Sequence, residues 1–237
     1  MQGTRHRQHG LSLPELLVVI GITAVLIALL LPALGRVRRM SRSTACLSNL
    51  QQWGQSFQMY LNNNKGQPIS EYKPRWWDSL GPYHGNVRES LLCPEAREPR
   101  PGPPDPNQET YKRGSAAHAY DDGNWRGSYG MNIWAYDRRP HVLPGNIRFP
   151  ARQAKRVPLL VDCVEPWAWI SNCEVVPSDL QGYETGIPMS VYCLDRHAMA
   201  VNVVFLDGHA EHVPLAGLWK LKWSEEFLPL DVTVPRK

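Results

Sequence analysis

The side chains with the most chemistry to offer crowd into one stretch near the C-terminus: Asp195, His197, Asp207, His209, Glu211 and His212. Imidazoles and carboxylates are zinc ligands and the usual general acids and bases, so metal-assisted or hydrolytic chemistry would be sought here first. Local structure argues against a simple site. Residues 199–206 read as a buried strand, Asp207-Gly208 as a two-residue type I′ turn, and residues 209–213 as the returning strand. Side chains alternate along a strand, so His209 and Glu211 face one way and His212 the other. The two histidines therefore cannot act as neighbouring ligands of one ion. A set of His197, Asp207 and His209 stays open geometrically, but no activated nucleophile accompanies it. The reading is polar residues satisfied at a hairpin end, with no metal, no cofactor and no catalytic residue.

The cysteines are the second reactive set: Cys46, Cys93, Cys163, Cys173 and Cys193. No two of them form a Cys-x-x-Cys pair, which gives a structural zinc site little support. On an exported chain disulfides persist. Cys163 and Cys173 bracket a short Trp-containing segment, and a Cys46–Cys93 bond would tie a helix to the head. Connectivity does not follow from spacing, an odd count leaves one cysteine over, and buried free thiols are the alternative.

The third set lies at the other end, where Gly10, Leu11, Ser12, Leu13, Pro14 and Glu15 follow a leader carrying Arg5 and Arg7. Ser12 and Glu15 have capping-box spacing, and Pro14 suits a first helical turn, where its missing N–H costs nothing. An ionised carboxylate at the edge of an apolar span is expensive and usually has a partner. Cleavage after Gly10 would place a new ammonium on Leu11, four residues from Glu15, and opposite charges in an apolar setting attract strongly.

These residues sit on a segment that can cross a membrane. Between Glu15 and Arg36 there is no charged side chain, and a helix of that length roughly spans a hydrocarbon core of about 30 Å. Basic residues flank both ends, Arg5 and Arg7 before it and Arg36, Arg38, Arg39 and Arg42 after it, so charge alone does not orient it. The glycine precedes the apolar run, unlike a secretory signal, so the span would survive a cut. Cys46, Leu47, Leu50, Trp53, Phe57, Tyr60 and Leu61 then recur at helical spacing, and residues 62–66 supply stop signals. The pattern predicts one helix over about 12–61, on the order of 75 Å long, with a candidate kink at Pro32.

The N-terminal residues Gly10, Leu11, Ser12, Leu13, Glu15, Leu16 and Leu17 resemble the signal of type IV pilins and type II secretion pseudopilins, and Pro32 falls where many pilins bend. The chain departs from that pattern at Leu11, usually Phe, and at Pro14, usually aliphatic. The resemblance implies that a membrane prepilin peptidase cuts between Gly10 and Leu11 and methylates the new terminus. It also implies that Glu15 guides docking onto other pilin-like subunits, in a homo- or hetero-polymer built on a secretion or pilus assembly platform. A second resemblance joins His197 through nine residues to Asp207-Gly208. It is similar to the H-x9-DG signature of prepilin-type processing-associated proteins, with supporting segments at residues 46–52, Leu92-Cys93-Pro94 and residues 128–132. His197, Asp207 and Gly208 are expected to be structural.

The resulting expectation is an α+β, pilin-like fold, with a long N-terminal membrane-spanning helix packed on a globular head that holds an antiparallel β-sheet. Residues 1–10 would be a basic leader, 11–34 the transmembrane part of the helix, 35–64 its amphipathic continuation and 65–237 the exported head. Within the head, residues 157–162 read as a buried strand, and the proline-rich run 94–106 as an exposed loop. Most of the nine tryptophans should be core, Trp167 and Trp169 being weak candidates for a ligand surface.

A formal charge of +4, falling to +2 if a leader holding Arg5 and Arg7 and no acid is removed, is no nucleic-acid signature. The basic cluster Arg36 to Arg42 reads as a contact for lipid headgroups or for acidic groups of an adjacent subunit. The expected role is structural rather than enzymatic: a single-pass inner-membrane pseudopilin of a type II secretion or type IV pilus-like filament, its head in the periplasm or otherwise on the exported side. The alternative is an exported ligand-binding or metal-dependent domain that uses the pilin-like end only for delivery.

Overall fold

The computed structural model describes residues 13–70, 75–99, 112–121, 123–136, 146–149, 151–170 and 175–235. Gly10, Leu11, Ser12, Cys173 and most of the proline-rich run lie outside them. The chain divides into two compact units, residues 1–41 and residues 42–237, and helix α1, Leu13–Asn63, runs through the boundary.

In the first unit every described side chain is exposed, including a continuous series of Leu, Ile and Val residues. Such a surface is untenable in water over this length and suits hydrocarbon. Among the described residues α1 is the one helix long and apolar enough to cross a membrane.

In the second unit α1 becomes one-sided, burying Cys46, Leu50, Trp53, Gly54, Ser56 and Phe57. The three- and four-residue steps between them put all six on one face. Its end is a left-handed turn: Lys65 takes φ 56°, Gly66 takes φ 76°, and the Gly66 N–H reaches back to the Leu61 carbonyl at 2.8 Å. That six-to-one bond satisfies a carbonyl the helix leaves unpaired.

Two short helices come next, α2 (Trp76–Leu80) and α3 (Val87–Ser90), then seven strands: β1 (Tyr120–Asp121), β2 (Arg126–Gly127), β3 (Tyr129–Asn132), β4 (Pro158–Asp162), β5 (Trp167–Ala168), β6 (Ala200–Phe205) and β7 (Ala210–Pro214). β1 and β2 form a small ribbon, and the other five form one sheet in the order β5-β3-β4-β6-β7. Its pairs are antiparallel except β3 with β5, so the expected α+β fold stands, with a sheet that is mixed at one edge.

The sheet separates two apolar clusters. Leu160 and Val204 belong to the cluster built with α1 and the tryptophans Trp53, Trp76 and Trp77. Val161, Val201, Val203 and Phe205 belong to the other, with Trp219 and Trp223. The period of two fixes the polar residues as well: Asp162 and Asn202 point to the α1 side, where Tyr129 of β3 stands opposite Asp162 in register. Most tryptophans are core, as expected, while Trp169 is 40% exposed and meets Trp134 edge to face.

The hairpin of β6 and β7 forms where the sequence pattern places it, but with a different turn. Gly208 donates to the Phe205 carbonyl at 2.9 Å, and Phe205 donates to the His209 carbonyl at 2.9 Å, leaving a three-residue loop in which only Gly208 is left-handed, at φ 89°. A type I′ turn would need Asp207 left-handed too. The tip is instead shaped by α1. A Cβ on Gly54 would lie 2.5 Å from Val204 Cγ2 and 3.3 Å from Gly208 Cα, and Gln58 Nε2 donates to the Leu206 carbonyl at 2.5 Å.

Candidate functional site

The chemistry gathers on the α1 side of the sheet, around a carboxylate that ends β4. Asp162 is fully buried. Its Oδ1 accepts from Arg196 Nη1 at 3.1 Å, and its Oδ2 accepts from the Asn202 N–H at 2.8 Å and lies 3.2 Å from His197 Nε2. The Cys46 thiol, brought in by α1, stands 3.6 and 3.7 Å from the two oxygens. Cys93, from the loop after α3, puts its Sγ 3.3 Å from His197 Nε2. The Tyr129 hydroxyl donates to Cys46 Sγ at 3.3 Å.

Arg196 braces the arrangement. Its Nε donates to the Ala116 carbonyl, Nη1 to the Ser128 carbonyl as well as to Asp162, and Nη2 to the Ser115 and Cys163 carbonyls, at 2.8–3.3 Å. All five guanidinium N–H groups are thereby used, and the loop at 115–116, the start of β3 and the end of β4 are pinned to one planar group. His197 is held by a turn in which Ala198 and Met199 both adopt left-handed φ, 55° and 64°, with the His197 N–H bonded to the Ala200 carbonyl at 3.1 Å. Consecutive left-handed residues other than glycine are strained and persist where surrounding structure over-determines them. Here Asp195 Oδ1 accepts the Met199 N–H at 2.8 Å.

The electrostatics come from burial opposed by close charge. Burial pushes the Asp162 carboxyl up, but the charge and hydrogen bond of His197, the charge of Arg196 and the Asn202 N–H outweigh it and hold the group down to about 2. Burial likewise disfavours charge on His197, and Asp162, then Cys93, reverse this and raise the imidazole to about 10. Burial pushes the Cys93 thiol up, yet hydrogen bonds from Cys46 and His197 and the charge of Arg196 bring it to about 7. Cys46 moves the other way, raised by burial and then by its neighbours Cys93 and Asp162. Among the described residues one atom of the set has no hydrogen-bond partner, the buried Nδ1 of His197.

The sequence-predicted residues are thus divided. His197 lies in this buried cluster. Asp207 lies at the hairpin tip, where its carboxylate accepts the His209 N–H at 3.2 Å and meets His209 Nδ1 at 2.5 Å, and the His209 ring stacks on Phe205. Gly208 packs at the tip on α1. Of the candidate disulfide residues, Cys46, Cys93 and Cys163 are buried and form no disulfide among the described residues. Cys163 lies next to Asp162 in sequence but on the opposite face of the sheet. Glu15 falls in the first turn of α1, while Gly10, Leu11 and Cys173 are outside the described residues.

Asp162, the hub, was not among the sequence candidates. Its signal was present: an acid closing the apolar run Val157-Pro158-Leu159-Leu160-Val161. The segments noted beside the H-x9-DG resemblance converge on it, since Cys46, Cys93, Ser128, Tyr129, Arg196 and His197 all touch Asp162 or one another.

Residues 5–31 match the family described as the prokaryotic N-terminal methylation motif. The match covers Gly10, Leu11, Glu15 and most of the apolar run. With the exposed apolar half of α1 it supports a prepilin-type, pilin-like chain held in a membrane. No curated protein and no solved structure matches the chain. The motif belongs to structural subunits rather than enzymes, and it leaves the head to be read from its own residues.

Proposed function

We propose that this protein is a pilin-like structural subunit, cut by a prepilin peptidase between Gly10 and Leu11, methylated on Leu11, and assembled through α1 into a type II secretion pseudopilus or type IV pilus-like filament. The observation that carries the reading is the methylation motif matched over residues 5–31, whose described part, from Leu13, lies on a helix with its apolar surface exposed up to residue 41. A surface of that kind needs lipid first and neighbouring helices afterwards. Glu15 is the docking charge, attracted by the amine of Leu11 in an adjacent copy, and the contact propagates as a heterologous, open-ended array. The subunit resides in the inner membrane with its head on the exported side, and its partners are the peptidase, other pilin-like subunits and an assembly platform.

The buried position of Asp162, His197, Cys46 and Cys93 favours this structural role over a delivered catalytic head, because a substrate would have to open the core to reach them. Mass spectrometry of the protein from cells with an active prepilin peptidase tests the proposal. The expected N-terminus is Leu11 carrying one added methyl group. An intact Met1 start would sink it.

A further inference from the structure

We infer that Cys46, Cys93, Asp162 and His197 form a closed, four-ligand zinc site that clips α1 to the sheet. The four side chains come from α1, the loop after α3, the end of β4 and the loop before β6, yet one ligand atom from each lies within 4.8 Å of all the others. Three of the six ligand pairs can be compared with the edges of a zinc tetrahedron. Zinc bonds of about 2.3 Å to sulfur and about 2.0 Å to nitrogen or oxygen, at tetrahedral angles, set ligand-to-ligand edges of about 3.3 Å for N···O and about 3.5 Å for S···N and S···O. The corresponding separations are 3.2 Å from His197 Nε2 to Asp162 Oδ2, 3.3 Å from Cys93 Sγ to His197 Nε2, and 3.6 and 3.7 Å from Cys46 Sγ to the Asp162 oxygens.

A purely hydrogen-bonded cluster accounts for this less well. His197 Nε2 carries at most one proton and stands at hydrogen-bonding distance from both Cys93 Sγ and Asp162 Oδ2, so it can donate to only one of the two at a time. A cation between the four atoms serves all of them. Charge closes as well: two thiolates and a carboxylate offset a dication together with the buried Arg196. Donors surround the sulfur and the carboxylate as expected of metal ligands, while His197 Nδ1 has no partner among the described residues. Tyr129 donates to the Cys46 sulfur, and Arg196 and the Asn202 N–H hold the two Asp162 oxygens. Two soft sulfurs with one imidazole and one carboxylate suit zinc rather than magnesium or calcium, and full burial makes the site structural.

Metal analysis of the full-length protein, extracted in detergent under reducing conditions, tests the inference. The expected result is about one zinc per chain, falling to below about a tenth of that in Cys93→Ser, while Cys193→Ser retains it. A second measurement does not depend on a variant folding. Wild-type protein stripped by a chelator and titrated with Co2+ should give the visible bands of a tetrahedral ion together with thiolate-to-cobalt charge transfer. Wild-type protein that holds no zinc and develops no tetrahedral cobalt spectrum would overturn the site. So would a Cys46–Cys93 disulfide in protein isolated without reductant that leaves no zinc bound.

Discussion

At the scale of single residues, Arg196 shows how an interior charge is made tolerable. Its five donors meet four carbonyls and one carboxylate, so truncation would take a charge partner from Asp162 and a donor from each carbonyl, of which Ser115 and Ser128 keep a backbone donor. Arg196→Ala is expected to cost about 3–5 kcal/mol in thermal or denaturant unfolding of the detergent-solubilised protein. Arg196→Lys should recover less than about half of that, because an ammonium has three donors and no planar fork. A loss under about 1 kcal/mol in Arg196→Ala would show that the carbonyls find other partners.

His84 gives a pH-dependent counterpart. Its ring stacks on Trp53 at 4.0 Å, and its Nδ1 accepts the Asn86 N–H at 3.2 Å. Burial holds its pKa below the ordinary histidine value. As pH falls through that ordinary value the unfolded chain takes up a proton that folded His84 resists. Stability contributed by the neutral ring is therefore full above about 6.5 and is lost as pH falls toward the lower folded value. The thermal midpoint should drop more steeply between about pH 7 and about pH 5.5 in the wild type than in His84→Gln. Parallel slopes would remove His84 from the account.

At the scale of elements, the contact between α1 and the hairpin of β6 and β7 turns on two glycines. Gly54 in mid-helix costs about 1 kcal/mol relative to alanine, a cost with no purpose in an isolated helix. Its purpose is the approach of Gly208 and Val204, which a side chain at position 54 would overlap. Gly54→Ala should therefore destabilise the head by about 1–2 kcal/mol in spite of better helix propensity, and Gly54→Leu should prevent its folding. A stabilised Gly54→Ala protein would mean that Val204 moves aside freely. The hairpin itself was legible from residues 199–213, since strand alternation and Asp-Gly are local signals. The turn type was not, because the α1 surface that the tip must fit is about 150 residues away in sequence.

At the scale of the whole molecule, the proposed function gives the exposed apolar half of α1 and the acid at its start a role in assembly rather than folding. Glu15→Ala is expected to leave N-terminal cleavage largely intact, while filaments or crosslinked oligomers fall by at least about fivefold. Normal assembly of Glu15→Ala would remove the docking charge from the proposal. On the proposed function, cleavage and assembly are separable in this variant because the peptidase would act on the Gly10–Leu11 bond and Glu15 through a neighbouring copy.

Local periodicity and chemistry were enough to place the uncharged span beyond Glu15, the stripe from Cys46 to Leu61, the strands read over residues 157–162 and 199–206, and the N-terminal methylation motif. Each of these is a repeat of a few residues, and hydrophobic burial acts on such repeats directly. The meeting of Cys46, Cys93, Asp162 and His197 needed the folded chain. Separate elements of the chain supply them, and no short spacing marks them as partners. The absence of a Cys-x-x-Cys pair and the alternation of His209 and His212 are local signals, and neither bears on residues that distant elements bring together. The α1 stripe and the sheet register, each readable alone, bring the four side chains together only when one packs on the other.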